Sequence, residues 1–385
     1  MYDLFSPAFK ANPHPTFAEM RQRDPVYAHR DRGGRTIWYF TRYADVIAVM
    51  RDPRFVKQQP DRPPTDPINQ NMLFADPPDH TRLRTLVNQA FTPRRVEQMA
   101  PTLQAVADEL IGRFQPSGNC DLIPDFALPF PVVVISDMLG IPAAEREQVA
   151  AWSQTIISPG GRRLKASARR RMMREFVAYL NGLFEQRRAE PKDDLISALV
   201  SAEADGDRLS ETELSSMVAL LLVTGHETTV NLIGNGVLAL LQHPNQLALL
   251  RANPNLLDSA IEELLRFDGP VETSTTRWVG ENLTYDGHEM KRGDTVRVVI
   301  TAANRDPAVF DEPGTLDITR SPNKHLQFGH GIHYCLGAPL ARLEGKVAIW
   351  TLFERLRNLR LNGTPKFRQG VLFRGLETLP LMWDA

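Results

Sequence analysis

From Ser210 to Pro244 the sequence carries one unbroken helical pattern, and a helix of that length dictates the architecture around it. Ser210-Glu211-Thr212-Glu213 is a capping box: the Ser210 side chain accepts from the amide three residues on, and Glu213 reaches back. Apolar residues continue at helical spacing through Leu214, Val218, Leu221, Leu222, Leu232, Val237 and Leu241, until Pro244 stops the run. At 1.5 Å per residue this helix is about 50 Å long, enough to run right across a domain of this size.

A second helix is expected over Leu256 to Phe267, and a last long one from about Leu336, with Leu340, Leu343, Val347 and Phe353 at helical spacing. After Pro270 the character changes. Thr276–Val279, Leu283–Tyr285 and Thr295–Ile300 alternate or are β-branched, and Asp286-Gly287 and Arg292-Gly293-Asp294 supply turns. The segment Pro60 to Pro78 is too rich in proline for a helix or central strand and reads as a long loop. The fold class expected is mainly α with small β-sheets (α+β), one large domain over 1–385. Its helix-rich part is about 79–267 and 336–360, and its β-rich part about 20–50 and 270–300.

The formal net charge of −1 gives no field that would draw the chain to nucleic acid or an acidic membrane. Two cysteines in 385 residues suit a reducing compartment, where a thiol survives as ligand or nucleophile. The start, Met1-Tyr2-Asp3-Leu4-Phe5-Ser6-Pro7, has no basic, apolar leader pattern. The longest strongly apolar stretch, Met217 to Val223, falls short of the roughly 20 residues that span a bilayer. A soluble, cytoplasmic protein is expected.

The most informative stretch is Phe328-Gly329-His330-Gly331-Ile332-His333-Tyr334-Cys335-Leu336-Gly337-Ala338-Pro339-Leu340-Ala341-Arg342. Glycines flank one cysteine, and a helix starts immediately after it. A thiolate at a helix N-terminus faces unpaired N–H groups and the positive end of the dipole, which favours ionisation. Glycines let the backbone approach a large flat ligand and donate to the sulfur. The residues alone leave two other readings open: a zinc site using His330, His333 and Cys335, which lacks a nearby fourth ligand, and a buried structural cysteine.

This run resembles the haem-binding signature of cytochrome P450: Phe, two residues, Gly, one, His, one, Cys, one, Gly. It matches at Phe328, Gly331, His333, Cys335 and Gly337, and Leu340-Ala341-Arg342 continues it. The resemblance extends over essentially the whole chain. Glu263 and Arg266, three apart on one helix face, resemble the family's Glu-x-x-Arg pair. By that resemblance their role is structural, with Ala303-Asn304-Arg305-Asp306-Pro307 as the loop they grip. His80 and Arg84 share a face in Asp79-His80-Thr81-Arg82-Leu83-Arg84, and with Arg277 and His333 they resemble the family's anchors for the haem propionates, a task that suits the guanidinium fork. Thr224-Gly225-His226-Glu227-Thr228-Thr229 places polar groups in an apolar helix, where they cost energy unless satisfied. It looks like the family's oxygen-activation groove, with Glu227 delivering protons and Thr228 bonding to the oxygen being activated. Thr224 stands where the family often has Ala.

What the resemblance implies is a haem-thiolate monooxygenase of the short bacterial type. Haem b would lie between the long helix and the cysteine helix, with Cys335 as metal ligand and Phe328, Gly329 and Gly337 among the cofactor contacts. Oxygen from O2 would enter a small, largely apolar substrate. No Gly-x-Gly-x-x-Gly follows a strand and no cysteine set could hold an iron–sulfur cluster. Electrons would therefore come from NAD(P)H through a separate ferredoxin or flavodoxin and its reductase, with Arg82, Arg342 and Lys346 offered to an acidic partner. A monomer is expected. The family's usual substrate segments place the pocket at the Pro60–Pro78 loop, Ile156–Ala168, Leu220, Thr224, Val271 to Thr275 (Val271, Ser274 and Thr275 among them) and the turn near Val371-Leu372. Two alternatives differ in use. A peroxide-driven peroxygenase typically carries an Arg–Pro pair where this chain has Glu227-Thr228. A haem sensor or carrier needs no acid–hydroxyl pair.

Overall fold

The computed structural model describes residues 2–384 except 62–66, 158–165 and 205. The chain divides into two compact units, each assembled from separate stretches. The larger comprises Met1–Pro63, Ala107–Leu128 and Thr228–Ala385, and the smaller Pro64–Val106 and Pro129–Glu227. The expected helix-rich stretch 79–267 is therefore shared between two units rather than belonging to one.

The larger unit holds the main sheet. Its strands run in the order Val26–Arg30, Thr36–Phe40, Thr295–Val298, Arg277–Val279 and Phe55–Val56. Thr36–Phe40 and Thr295–Val298 are parallel, with Phe40 opposite Val298, and the other pairs are antiparallel. Alternation sets the register: Val296 and Val298 are fully buried while Thr295 and Arg297 are half-buried. Phe40 meets Phe55 edge to face at 5.9 Å in the same core. The strand expected through Ile300 stops at Val298. There the Val299 amide donates to the Phe40 carbonyl at 2.8 Å, and Ile300–Ala303 winds into one helical turn.

Three helical segments of this unit carry the residues of interest: Leu257–Asp268, Ala338–Arg355, and the second half of Glu211–Gln242. They pack closely because glycines face their neighbours. A Cβ at Gly236 would stand 2.8 Å from Ile349, and one at Gly345 would stand 2.9 Å from Leu232.

Among the described residues, the smaller unit consists of helices and the isolated bridge between Ala204 and Asp207. Leu195–Ser201 packs against Asp79–Ala90, Pro129–Leu139 and Ala166–Ala189. Asp194 caps it, accepting from the Ser197 amide at 2.7 Å while pairing with buried Arg187 at 2.5 Å. The long helix spans Glu211–Gln242 and starts on the expected box: Ser210 N–H donates to Glu213 at 2.9 Å, and Glu213 N–H to the Ser210 hydroxyl at 3.3 Å. By length and composition alone this helix is long and apolar enough to cross a bilayer, which the short run Met217–Val223 does not show. However, 67% of its most apolar 18-residue window is buried in protein, the position of a core helix.

Candidate active site

The Cys335 loop is built by two glycines that only tolerate the turn because they lack a side chain. Gly329 and Gly331 both have φ +74°, and a Cβ at Gly331 would stand 3.3 Å from the Met50 carbonyl. The loop closes where the Cys335 amide donates to the Phe328 carbonyl at 2.8 Å and Gly329 N–H to the Leu326 carbonyl at 2.9 Å. Cys335 itself is exposed, and the cysteine helix begins three residues later at Ala338. Phe328 is buried beneath the Arg342 guanidinium, 4.4 Å from its ring centre. Arg342 is fixed in turn by both oxygens of Glu262 at 2.6 and 2.8 Å. Burial opposes ionisation of Glu262, but Arg342 and His325 outweigh it and hold the carboxyl well below its usual range.

Behind this loop lies a buried hub. Glu263 and Arg266 have no exposed side-chain surface and form a two-bond fork, each bond 2.7 Å. Arg266 also donates to the carbonyls of Asn304, Pro313 and Thr315 at 3.1, 2.8 and 2.9 Å. Glu263 accepts from Asp317 N–H, Arg320 and Asn323. Asn304 passes the connection on, its side chain accepting from Leu326 N–H at 2.7 Å. Arg305 points elsewhere, donating to the Phe267 carbonyl and lying over its ring at 4.1 Å.

The long helix presents its polar residues differently on its two halves. In the smaller unit, the Thr224 hydroxyl donates to the Leu220 carbonyl at 2.7 Å, and buried His226 meets the Leu222 carbonyl at 2.6 Å. In the larger unit, Thr229 donates to Glu344 of the cysteine helix at 2.9 Å.

The sequence model of the family described as "Cytochrome P450" matches residues 3–158 and 149–369. The chain belongs to the cytochrome P450 family. It is 42% identical over 401 residues to the polyketide biosynthesis cytochrome P450 PksS of Bacillus subtilis, covering 99% of this chain and 98% of the relative. The solved structure of that protein superposes with a TM-score of 0.95 at 41% identity, over 100% of both chains. The vitamin D(3) 25-hydroxylase of Pseudonocardia autotrophica is 44% identical over 393 residues, covering 99% of this chain and 96% of the relative. P450BioI, solved with a hexadec-9Z-enoic acid-ligated acyl carrier protein, matches at a TM-score of 0.91 and 38% identity, over 98% and 99% of the two chains. Such proteins are haem-iron monooxygenases, and the family implies a cysteine thiolate ligand.

The loop of this cytochrome P450 fits that group. Its thiol is exposed at a helix start, and a Cβ on Gly337 would stand 3.9 Å from the sulfur, so glycine there leaves no side chain beside it. The zinc set does not assemble: among the described residues no three His, Cys, Asp or Glu stand together to hold a metal, and His330 instead accepts from Arg51 at 2.6 Å.

Other expected residues fall as follows. In the larger unit, Arg277 is buried in its strand and donates to the Phe55 carbonyl at 3.4 Å, and His333 is half-buried in the turn before Cys335. Val271, Ser274 and Thr275 are half-buried, with the Thr275 hydroxyl accepting from buried Lys57. In the smaller unit, His80 is buried, Arg84 is half-buried and donates to Asn88 at 3.2 Å, and Leu220 is buried. Of the expected pocket segments, 62–66 and 158–165 lie outside the described residues. The cations offered to a partner are a third exposed and have acidic neighbours of their own: Arg82 pairs with Glu213 and Asp207, Arg342 with Glu262, and Lys346 with Asp258 at 2.8 Å. Two buried acids escaped the sequence reading. Glu344 sits on the cysteine helix and Glu272 beside Val271, and with Arg342 and Lys346 near the one and Thr273 to Thr276 after the other, no local pattern marks either as buried.

Proposed function

We propose that this cytochrome P450 inserts one oxygen atom from O2 into a small, largely apolar organic substrate as a cytoplasmic monomer, with electrons passed from NAD(P)H by a separate ferredoxin or flavodoxin and its reductase. The observation that carries the reading is the cysteine loop, closed from Cys335 N–H to the Phe328 carbonyl and leading an exposed thiol into a helix start. Bound haem supplies the oxygen-binding and electron-accepting chemistry, with thiolate ligation favouring O–O cleavage. The chain's residues do the rest.

Cys335 is the metal ligand, with Phe328, Gly329 and Gly337 shaping its surroundings. His80, Arg84, Arg277 and His333 hold the two propionates, and of these His80 and Arg277 are buried in a helix and a strand. Glu227 carries protons toward the oxygen, and the Thr228 hydroxyl orients their delivery. The substrate side is shaped by Leu220, Thr224, Val271, Ser274 and Thr275, a mixture of apolar and hydroxyl groups suited to a largely apolar molecule with few polar handles. Since the Thr224 hydroxyl is directed at its own helix, that residue contributes shape there. Glu263, Arg266 and Arg305 act as structure. The names of the relatives, a polyketide-pathway enzyme and a vitamin D(3) hydroxylase among them, support an apolar substrate class.

The decisive experiment is the absorption spectrum of the reduced, carbon-monoxide-bound protein. A red-shifted Soret band is expected, lost in Cys335→His. Absence of any haem band in protein made with adequate haem overturns the reading.

A further inference from the structure

Beneath the segment that the proposed function assigns to substrate, the N-terminus of the chain ends in a sealed ionic cluster. Lys10, on the short helix Pro7–Ala11, lies 2.6 Å from Glu272, with side chains 4% and 3% exposed. The buried Arg374 donates to the Lys10 carbonyl at 2.8 Å and pairs with Asp268, which also meets His14 at 3.4 Å. Asn235 donates to the carbonyls of both Asp268 and Arg374, at 2.9 and 3.1 Å.

The two charged residues that reach Lys10 sit on two backbone segments zipped together. Glu272 N–H donates to the Leu372 carbonyl at 2.9 Å, the Thr273 hydroxyl to the Val371 carbonyl at 2.8 Å, and Arg374 N–H to the Pro270 carbonyl at 2.8 Å. Glu272 sits at a bend between Val271 and Thr273, which bridge to Phe373 and Val299, so holding Glu272 at Lys10 fixes where both neighbours stand. Burial lowers the pKa of Lys10 and raises that of Glu272, against the pull of their pairing. An apolar pair of similar volume would avoid that cost, whereas a directional charged pair fixes one register between the segments it joins.

We propose that Lys10 is a remote positioning residue for substrate specificity: through Glu272 and Arg374 it sets the spacing of segments 270–275 and 371–374, and with it the shape they offer to substrate. This rests on the reading that Val271 to Thr275 contact substrate. The chemistry is that of an internal strut, and no proton or electron changes hands.

Hydrogen exchange on the holoenzyme tests the strut without any substrate. In Lys10→Met the amides of Glu272 and Thr273, both within reach of the Leu372 carbonyl, should exchange at least tenfold faster, with Arg277–Val279 and Thr295–Val298 unchanged. Lys10→Met with Glu272→Met guards against simple misfolding, since it removes both charges. It should recover the melting temperature yet keep the faster local exchange. Pocket shape is read in parallel as the ratio of affinities for imidazole and the much larger clotrimazole, both of which reach haem iron. That ratio should move at least fivefold in the double variant and in Val271→Phe. Unchanged exchange at 272 and 273, or an equal rise across the sheet, overturns the proposal. A ratio that moves in Val271→Phe but not in the double variant also overturns it while leaving the substrate assignment standing. A ratio that moves in neither, with exchange raised, refutes the substrate assignment and with it the role in specificity.

Discussion

Glu344 is a carboxylic acid sealed inside the larger unit, 1% exposed, whose single described partner is the Thr229 hydroxyl. Burial raises its pKa from 4.5 to about 8, although the Thr229 bond pulls the other way. The fold therefore keeps a proton that the unfolded chain releases above pH 4.5, so this group's contribution to stability falls as pH climbs from 4.5 toward 8. Glu344→Gln is neutral throughout. Relative to the parent, its melting temperature should be level near pH 5 and higher by about 3–10 °C near pH 8. Parallel pH profiles would show that Glu344 titrates normally. Glu227 and Thr228 call for a different readout, because their proposed work is proton delivery. Glu227→Gln and Thr228→Ala should cut product per electron pair by roughly 10–100-fold and divert electrons to hydrogen peroxide, with the carbon-monoxide spectrum intact. Unchanged coupling in both would refute the assignment of proton delivery to this pair. Glu227 and Thr228 were conspicuous in the sequence as polar residues in an apolar helix. Glu344 was not, because one acid among Leu340, Leu343 and Val347 has the same pattern on an exposed edge as in a core.

Among the elements, what the sequence revealed was local and what it concealed was not. The Ser210 box and Pro244 lie within a few residues of the ends they set, and the long helix runs Glu211–Gln242 accordingly. The strand ending at Val298 was overrun to Ile300: Val299 still donates to the Phe40 carbonyl, and only beyond it does the chain wind into the buried turn Ile300–Ala303. Distance along the chain hid the acidic neighbours of Arg82, Arg342 and Lys346, which are Glu213, Glu262 and Asp258. The Glu263–Arg266 pair reads as solvated by spacing alone, whereas its burial makes Arg266 a joint between the helix Leu257–Asp268 and three loop carbonyls. Removing only the guanidinium, in Arg266→Met, should cost about 3–5 kcal/mol and most of the bound haem. A double Glu263→Leu, Arg266→Met variant would rescue an ordinary buried pair, but here it should not, because the carbonyls of Asn304, Pro313 and Thr315 remain unbonded. Thermal unfolding of the three proteins, with haem content measured on each, checks this. A double variant as stable as the parent would reduce the hub to a simple ion pair.

For the whole molecule, composition limits how electrons can arrive. Cys335 is committed to the site by its loop. The other cysteine, Cys120, is buried opposite Leu381 in a three-stranded sheet, and burial, with Asp125 and Asp121, pushes its thiol up to about 12. A thiol so reluctant to ionise makes a poor redox group. On the reading proposed above, a chain with no dinucleotide fingerprint takes its reducing equivalents from another protein, the alternative being hydrogen peroxide. On the proposed reading, Glu227 and Thr228 favour the first. Proton delivery to oxygen is needed when electrons and protons arrive separately, and is dispensable when hydrogen peroxide brings both. Turnover with NAD(P)H and a surrogate ferredoxin–reductase pair should therefore exceed turnover with peroxide alone by at least tenfold, and Glu227→Gln should depress only the former. Peroxide turnover that dominates and ignores Glu227→Gln would mean the pair has another task, and that this chain needs no electron-transfer partner.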